Sequence, residues 1–203
     1  ISVLYSAPDA QVPKLSASHV MSPVGPSEGI GGQHGFARWA NYHKFTLEDG
    51  PNGEKRVAFQ AKRSDNGIAL TKAFELTGSA LSSHTSIYNS EPDSIRTSVG
   101  EHYYFMLQNE QSEGLKVNGK SLDEFLGEGA EKSIMDGTPL FWESFDGEAS
   151  IDFPAGYSLK LSSEFKGSPD SKLGMLVWHR PGTPSICFEP TVGFDGKGRQ
   201  ASL

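Results

Sequence analysis

What most limits the fold of this chain is the regular return of turn chemistry. Glu48-Asp49-Gly50-Pro51-Asn52-Gly53, Ser64-Asp65-Asn66-Gly67, Pro154-Ala155-Gly156 and Pro181-Gly182 each separate two short runs of alternating or apolar residues. Glycine supplies backbone angles closed to other residues, proline fixes φ, and Asn or Asp bonds its own backbone, so such clusters reverse the chain. The runs between them show period two rather than a helical period. Over 56–62, Val57, Phe59 and Ala61 alternate with Arg56, Ala58 and Gln60, the pattern of a strand with one wet face. Hairpins are expected for 42–47 with 56–62, 70–76 with 81–88, 149–153 with 157–161, and 173–179 with 185–188. Residues 2–6 read as a short strand, and 8–31 as an irregular stretch with one strand near 19–21. Residues 122–126 read as one short helical turn, inside an acidic stretch, 110–131, that reads as a solvated surface loop. The 23 glycines and 12 prolines are scattered, and helix-period patterns are scarce. About a dozen short strands imply an all-β fold, a large antiparallel β-sandwich. With no internal repeat and no linker, residues 1–203 are expected to form a single domain.

Charge and cysteine use exclude several classes of function. A net charge of −7 speaks against nucleic acid or an anionic membrane as a partner, since both want a basic patch. No window approaches the roughly 18 apolar residues of a membrane span. The opening Ile1-Ser2-Val3-Leu4-Tyr5 has no basic region leading into an apolar run, so no signal peptide is expected. Cys187 is the single cysteine, which rules out an intramolecular disulfide and a cysteine-based zinc cluster and fits a reducing, cytoplasmic location. Its neighbours Ile186 and Phe188 mark it as a buried strand residue rather than a nucleophile. Gly31-Gly32 precedes a His and an Arg, not a helix, so a nucleotide-binding loop is unsupported.

Three stretches carry residues suited to proton transfer. Gly100-Glu101-His102-Tyr103-Tyr104-Phe105-Met106-Leu107 places a histidine among aromatic rings, where a strand is expected to begin. An imidazole exchanges protons near neutral pH. Ile186-Cys187-Phe188-Glu189-Pro190 puts a carboxylate at the end of an apolar strand, a setting that tunes a general base. His34-Gly35-Phe36-Ala37-Arg38 adds a second histidine and a guanidinium. Each residue alone has a plainer reading: a core histidine, a surface ion pair, an edge carboxylate. His19 shows no partner in the sequence and carries no assignment.

Taken in order, the three stretches resemble the aldose 1-epimerase (galactose mutarotase) family. His34-Gly35-Phe36-Ala37-Arg38 resembles the family's His-Gly signature, closest to the hexose-6-phosphate branch. Asn89 followed by Gly100-Glu101-His102-Tyr103-Tyr104-Phe105 resembles its Asn and Gly-x-His-x-Tyr-Phe segment. Phe188-Glu189-Pro190, with Gly193 beyond, resembles its closing Glu-Pro motif. The resemblance implies a galactose mutarotase-like sandwich, N-terminally trimmed, with an exposed sheet edge open to a homodimer. It implies interconversion of the α and β anomers of an aldose or aldose phosphate, with no metal or organic cofactor. His102 would be the acid at the ring oxygen and Glu189 the base at the anomeric hydroxyl. His34 and Arg38 would bind the sugar, Arg38 being suited to a phosphate. The family's hydroxyl-binding Asp has no clean counterpart; Glu143 stands nearest its place, with Asp146 as the other option. Trp39, Tyr104, Phe105, Trp142 and Trp178 are candidates for an aromatic platform, with core packing the plainer reading of most. The expected charge state is an ionised Glu189 beside a protonated His102, each favouring the other. The alternative from another class is a non-catalytic carbohydrate-binding module on the same scaffold. A glycosidase would want two carboxylates at a set spacing, and Glu189 alone has motif support.

Overall fold

The structure is a computed structural model that describes residues 18–22, 24–25, 34–62, 67–89, 92–93, 97–107, 112–166 and 172–194. Within them the turn clusters give antiparallel hairpins. β2 (His43–Asp49) and β3 (Lys55–Lys62) flank the turn at 50–54, and β4 (Ile68–Thr77) turns tightly into β5 (Ala80–Asn89), with Thr77 opposite Ala80. These four form one sheet in the order β2-β3-β4-β5. A second sheet has the order β10-β9-β7, from β10 (Tyr157–Ser162), β9 (Glu148–Phe153) and β7 (Lys116–Val117). The third has five strands in the order β1-β6-β12-β11-β8. Its members are β1 (Ser18–Met21), β6 (Val99–Met106), β12 (Ser185–Val192), β11 (Leu173–His179) and β8 (Leu140–Trp142). Every named pairing is antiparallel. Three short helices complete the described chain: α1 (Gly35–Trp39), α2 (Leu122–Leu126) and α3 (Ala130–Met135).

The five-stranded sheet has two different faces because side chains alternate along each strand. On one face Phe105, Met175, Val177, Ile186 and Phe188 pack with Val117, Ile151 and Phe153 of the three-stranded sheet. This is the main core. Toward β1 the same face meets the four-stranded sheet, where Val20 packs with Leu70 and Ile87. The other face carries His102, Tyr104, Trp178, Cys187 and Glu189. β12 is buried along its whole length, so both of its faces are covered.

One ionic contact joins the first and third sheets. Lys72 of β4 pairs with Glu101 of β6, their side chains 6% and 15% exposed. Lys72 also bonds Ser83 and, at 3.1 Å, Thr85, whose hydroxyl reaches Glu101. A buried pair of this kind is tolerated because several neutral partners share the charge.

Several expectations change. His102 lies in the middle of β6, not at its start. The acidic stretch 110–131 is not a solvated loop over its described part: Leu115, Val117, Leu122 and Ala130 are buried. Its helical turn exists and has a reciprocal cap, Ser121 accepting from the Glu124 N–H while the Glu124 carboxylate accepts from the Ser121 N–H. α3 was not foreseen. Ala58 is buried although its phase put it on the wet face of β3. The strand expected at 2–6, the Gly31-Gly32 step and the turn at 64–66 lie outside the described residues.

Lys72→Met leaves the Glu101 carboxylate without its buried cation and should lower unfolding free energy by about 3–5 kcal/mol in urea. Adding Glu101→Leu should recover much of that loss. A single-variant loss below about 1 kcal/mol, the level of a surface pair, would contradict this account of the inter-sheet contact.

Candidate active site

Three segments converge on the second face of the five-stranded sheet. The β1–β6 ladder sets His19 directly opposite His102. Their rings stack with centroids 4.4 Å apart and planes 27° from parallel. His34 enters from the start of α1, its ring 5.4 Å from each of the other two. Backbone bonds hold it there: Ser22 N–H donates to the His34 carbonyl at 3.1 Å, and His34 N–H donates to the Gly25 carbonyl at 2.8 Å. The chain makes this entry with two successive left-handed residues, His34 at φ 65° and Gly35 at φ 64°. Glycine takes that conformation without a Cβ penalty, which explains the His-Gly pair in physical terms.

His102 is the centre of the cluster. Its Nε2 lies 3.0 Å from Glu189 Oε1, and both side chains are almost wholly buried. Tyr104, two residues along β6, stacks on it at 4.4 Å, and Trp178 meets it edge-on at 6.0 Å. Cys187 packs with Tyr104, flanked by Met106 and Trp178. Arg38, one turn into α1, reaches Tyr104, and its charge acts on Glu189. Sequence positions 19, 34, 38, 102, 104, 178 and 189 thus meet in one place.

Burial dominates the electrostatics. Burial pushes the Glu189 carboxyl up to about 8, against the opposing pull of Arg38. Burial, then the rings of His19 and His34, then Arg38 hold His102 well below the usual imidazole range. His34 falls to about 4 through burial and Arg38, and His19 to about 2 through burial, Arg38 and His34. This corrects the expected charge state. A protonated His102 beside an ionised Glu189 would bury two charges, one of them a cation near the Arg38 guanidinium. Burial shifts the pair the other way, toward the neutral carboxyl–imidazole form. The Cys187 thiol is pushed up by burial and by Glu189, which agrees with an inert strand cysteine.

Phe105, Trp142, Glu143 and Asp146 fall elsewhere. Phe105 points to the opposite face of β6 from His102 and packs against Phe153 and Phe188, so it is core and not platform. Trp142 meets Phe125 edge-on and Phe145 at a tilt, at the core margin. Trp39 is 46% exposed, with the Arg38 guanidinium 5.6 Å from its ring. Glu143 and Asp146 are exposed beyond β8, which β11 and β12 separate from β6. Neither carboxylate is brought to His102. Tyr104 and Trp178 are the platform candidates that do flank it. His19 was missed, because only the β1–β6 register reveals its partner.

No family model and no curated protein sequence matches the chain. Solved structures do match in fold. The Slr1438 protein from Synechocystis sp. PCC 6803 superposes with a TM-score of 0.73 at 17% identity, covering 99% of this chain and 79% of the other. The fold is galactose mutarotase-like. A candidate aldose 1-epimerase from Escherichia coli K12 gives a TM-score of 0.63 at 14% identity over 99% of this chain and 83% of its own. A galactose mutarotase-like protein from Lactobacillus casei ATCC 334 gives 0.63 at 18% identity over 93% and 80%. Among the described residues, no helix is long and apolar enough to cross a membrane.

The shifts fix the sign of a pH effect. Unfolded histidines bind protons below about 6.5, whereas the buried His19, His34 and His102 resist them. The unfolded chain therefore binds more protons on acidification, and stability falls as pH drops from about 6.5 to 4. Glu189 acts oppositely: its raised value loses stability as pH rises from its ordinary 4.5 to about 8. Three imidazoles outweigh one carboxyl. Thermal unfolding scans should show a midpoint that declines steeply below pH 6.5, and less steeply in His19→Gln. A midpoint flat from pH 6.5 to 4 would contradict the burial of neutral rings.

Proposed function

We propose that this protein is an aldose 1-epimerase that interconverts the α and β anomers of an aldose or aldose phosphate. The observation that carries the reading is the buried His102–Glu189 contact on a galactose mutarotase-like fold. Ring opening needs one proton delivered to the ring oxygen and one removed from the anomeric hydroxyl. A pair that holds one proton and one vacant lone pair can do both. His102 is the acid and Glu189 the base, as the resemblance of their motifs implies. In this reading the sugar's hydroxyls replace the dry surroundings of the pair, and Arg38 already favours the Glu189 carboxylate. Glu189 can then ionise while the proton moves to His102. Glu189 takes the anomeric proton, the C1–O5 bond breaks, and His102 protonates O5. Rotation about C1–C2 in the open aldehyde and reversal of both transfers give the other anomer.

His34 and Arg38 bind the sugar beside that pair, and Tyr104 and Trp178 offer flat faces to its C–H groups. The guanidinium suits a phosphate as well as hydroxyls. Glu143, expected in place of the family's Asp, has no part in this reading.

The test is polarimetry on freshly dissolved α-D-glucose, α-D-galactose and glucose 6-phosphate. Mutarotation should run faster than the uncatalysed rate with at least one of them. Glu189→Gln should lose about 10²–10⁴-fold in kcat, the usual share of one acid–base group, with sugar affinity little changed. Near-normal kcat in Glu189→Gln would overturn the base assignment. No acceleration on any sugar, with binding retained, would favour the carbohydrate-binding module.

A further inference from the structure

The epimerase reading uses the five-stranded sheet and leaves the outer edge of the four-stranded sheet unexplained. Among the described residues, β5 is the last strand of the order β2-β3-β4-β5, with β4 its one neighbour. It runs against β4 in an unbroken register, from Thr77 opposite Ala80 to Ile68 opposite Asn89. Proteins guard such edges with charged side chains, prolines or bulges, because an open row of N–H and C=O groups recruits another strand. β2, at the other edge, is guarded: its register shifts between Lys44 and Thr46, and it carries Lys44, Glu48 and Asp49. β5 is not. Ala80-Leu81-Ser82-Ser83-His84-Thr85-Ser86-Ile87-Tyr88-Asn89 contains no Asp, Glu, Lys, Arg or Pro. Large apolar side chains lie open there as well. Leu81 is 51% exposed, Tyr88 67%, and Leu76, opposite Leu81 on β4, 48%.

We propose that β5 pairs antiparallel with β5 of a second copy of this chain, joining the two four-stranded sheets into one continuous sheet across a two-fold axis at His84. The sequence of the strand points to its own copy as the occupant. Read outward from His84 it is nearly a palindrome: Ser83 and Thr85, Ser82 and Ser86, Leu81 and Ile87, Ala80 and Tyr88. Antiparallel pairing about His84 sets each of these residues opposite its counterpart in the other copy. Hydroxyl then meets hydroxyl, Leu81 meets Ile87, and the small Ala80 leaves room for Tyr88, which are favourable cross-strand pairs. The seam brings no like charges together, although each chain carries a net charge of −7.

The faces match too. Thr85 reaches Glu101 and Ile87 packs with Val20 and Leu70, so alternation turns Leu81, Ser83, Thr85 and Ile87 toward the five-stranded sheet. A two-fold axis perpendicular to the sheet keeps these inner faces on one side in both copies. Lys72 bonds Ser83 and Thr85, which holds the centre of β5 in place before a partner arrives. Because the contact uses the same edge of each copy, pairing closes at two. A seam over residues 80–88 is about 30 Å long. That is at the small end of specific interfaces, and a dissociation constant on the order of micromolar is expected. The seam lies on a different sheet from His102 and Glu189, so it does not depend on the epimerase reading.

The experiment is sedimentation velocity of the chain across the micromolar range. A concentration-dependent shift from monomer to dimer is expected, with nothing larger. The double variant Ser82→Lys with Ser86→Lys changes two exposed positions and sets ammonium groups opposite each other twice per dimer. It should raise the dissociation constant about tenfold, with circular dichroism unchanged. Register is read by cross-linking. The native Cys187 is buried, so His84→Cys should give a disulfide-linked dimer under mild oxidation, since directly opposed Cβ atoms lie about 4.5–5.5 Å apart. Ser82→Cys alone should not link, yet should link when mixed with Ser86→Cys. A monomer at every concentration would overturn the proposal. Hydrogen exchange would then name the cover: slow β5 amides mean that the chain covers its own edge, and fast ones leave it to a strand of another protein. A dimer indifferent to the two lysines, one that links Ser82→Cys as readily as His84→Cys, or growth into larger species would equally overturn it.

Discussion

The rest of the structure depends on the two-sided pairing of β6. This strand lies between β1 and β12 in the five-stranded sheet. Its alternation splits its residues between two tasks. Glu101, Tyr103 and Phe105 face the other two sheets and hold the layers together. His102 and Tyr104 face away and form the candidate site. A slip of one residue would exchange these sets. Gly100 helps fix the register. A Cβ there would stand 2.6 Å from Met21 Cε and 2.9 Å from Thr191 Cγ2, so side chains from both neighbouring strands close over a bare backbone.

That arrangement explains the electrostatics. Because β12 is covered on both faces, Glu189 has no water to stabilise its charge. Because β1 lays the ring of His19 on His102, and α1 brings His34 and Arg38 alongside, a charge on His102 would be cut off from water and stand near a like charge on Arg38. The fold therefore biases acid and base toward their neutral forms. Entry of a polar ligand would change the dielectric and the proton's position together.

Much of the fold was legible in the sequence because turn chemistry is local. Gly50-Pro51, Pro154-Ala155-Gly156 and Pro181-Gly182 act on their own backbone, and the hairpins they close are those the alternation predicted. Helical segments were harder to see. α3 is short, and its buried Ile134 and Ala130 carry too little period to stand out in an acidic stretch. The site was legible where motifs carried it: His34, Arg38, His102 and Glu189 do meet. His19 was not, since its meaning lies in a register between strands about 80 residues apart along a chain whose pairing is non-local. Phe105 failed for the reason that alternation supplies, as the residue after Tyr104 must face the core. The charge state failed because burial cannot be weighed from neighbours in sequence.

The central claim is that His102 and Glu189 exchange protons with a bound sugar. Two-dimensional exchange NMR tests it most directly, at anomeric equilibrium, on glucose, galactose and glucose 6-phosphate. The account predicts cross-peaks between α and β anomeric protons that grow with protein concentration and vanish with Glu189→Gln. Broadened sugar lines without α–β cross-peaks from the unmodified protein would contradict it, showing a site that binds sugar and leaves the ring closed.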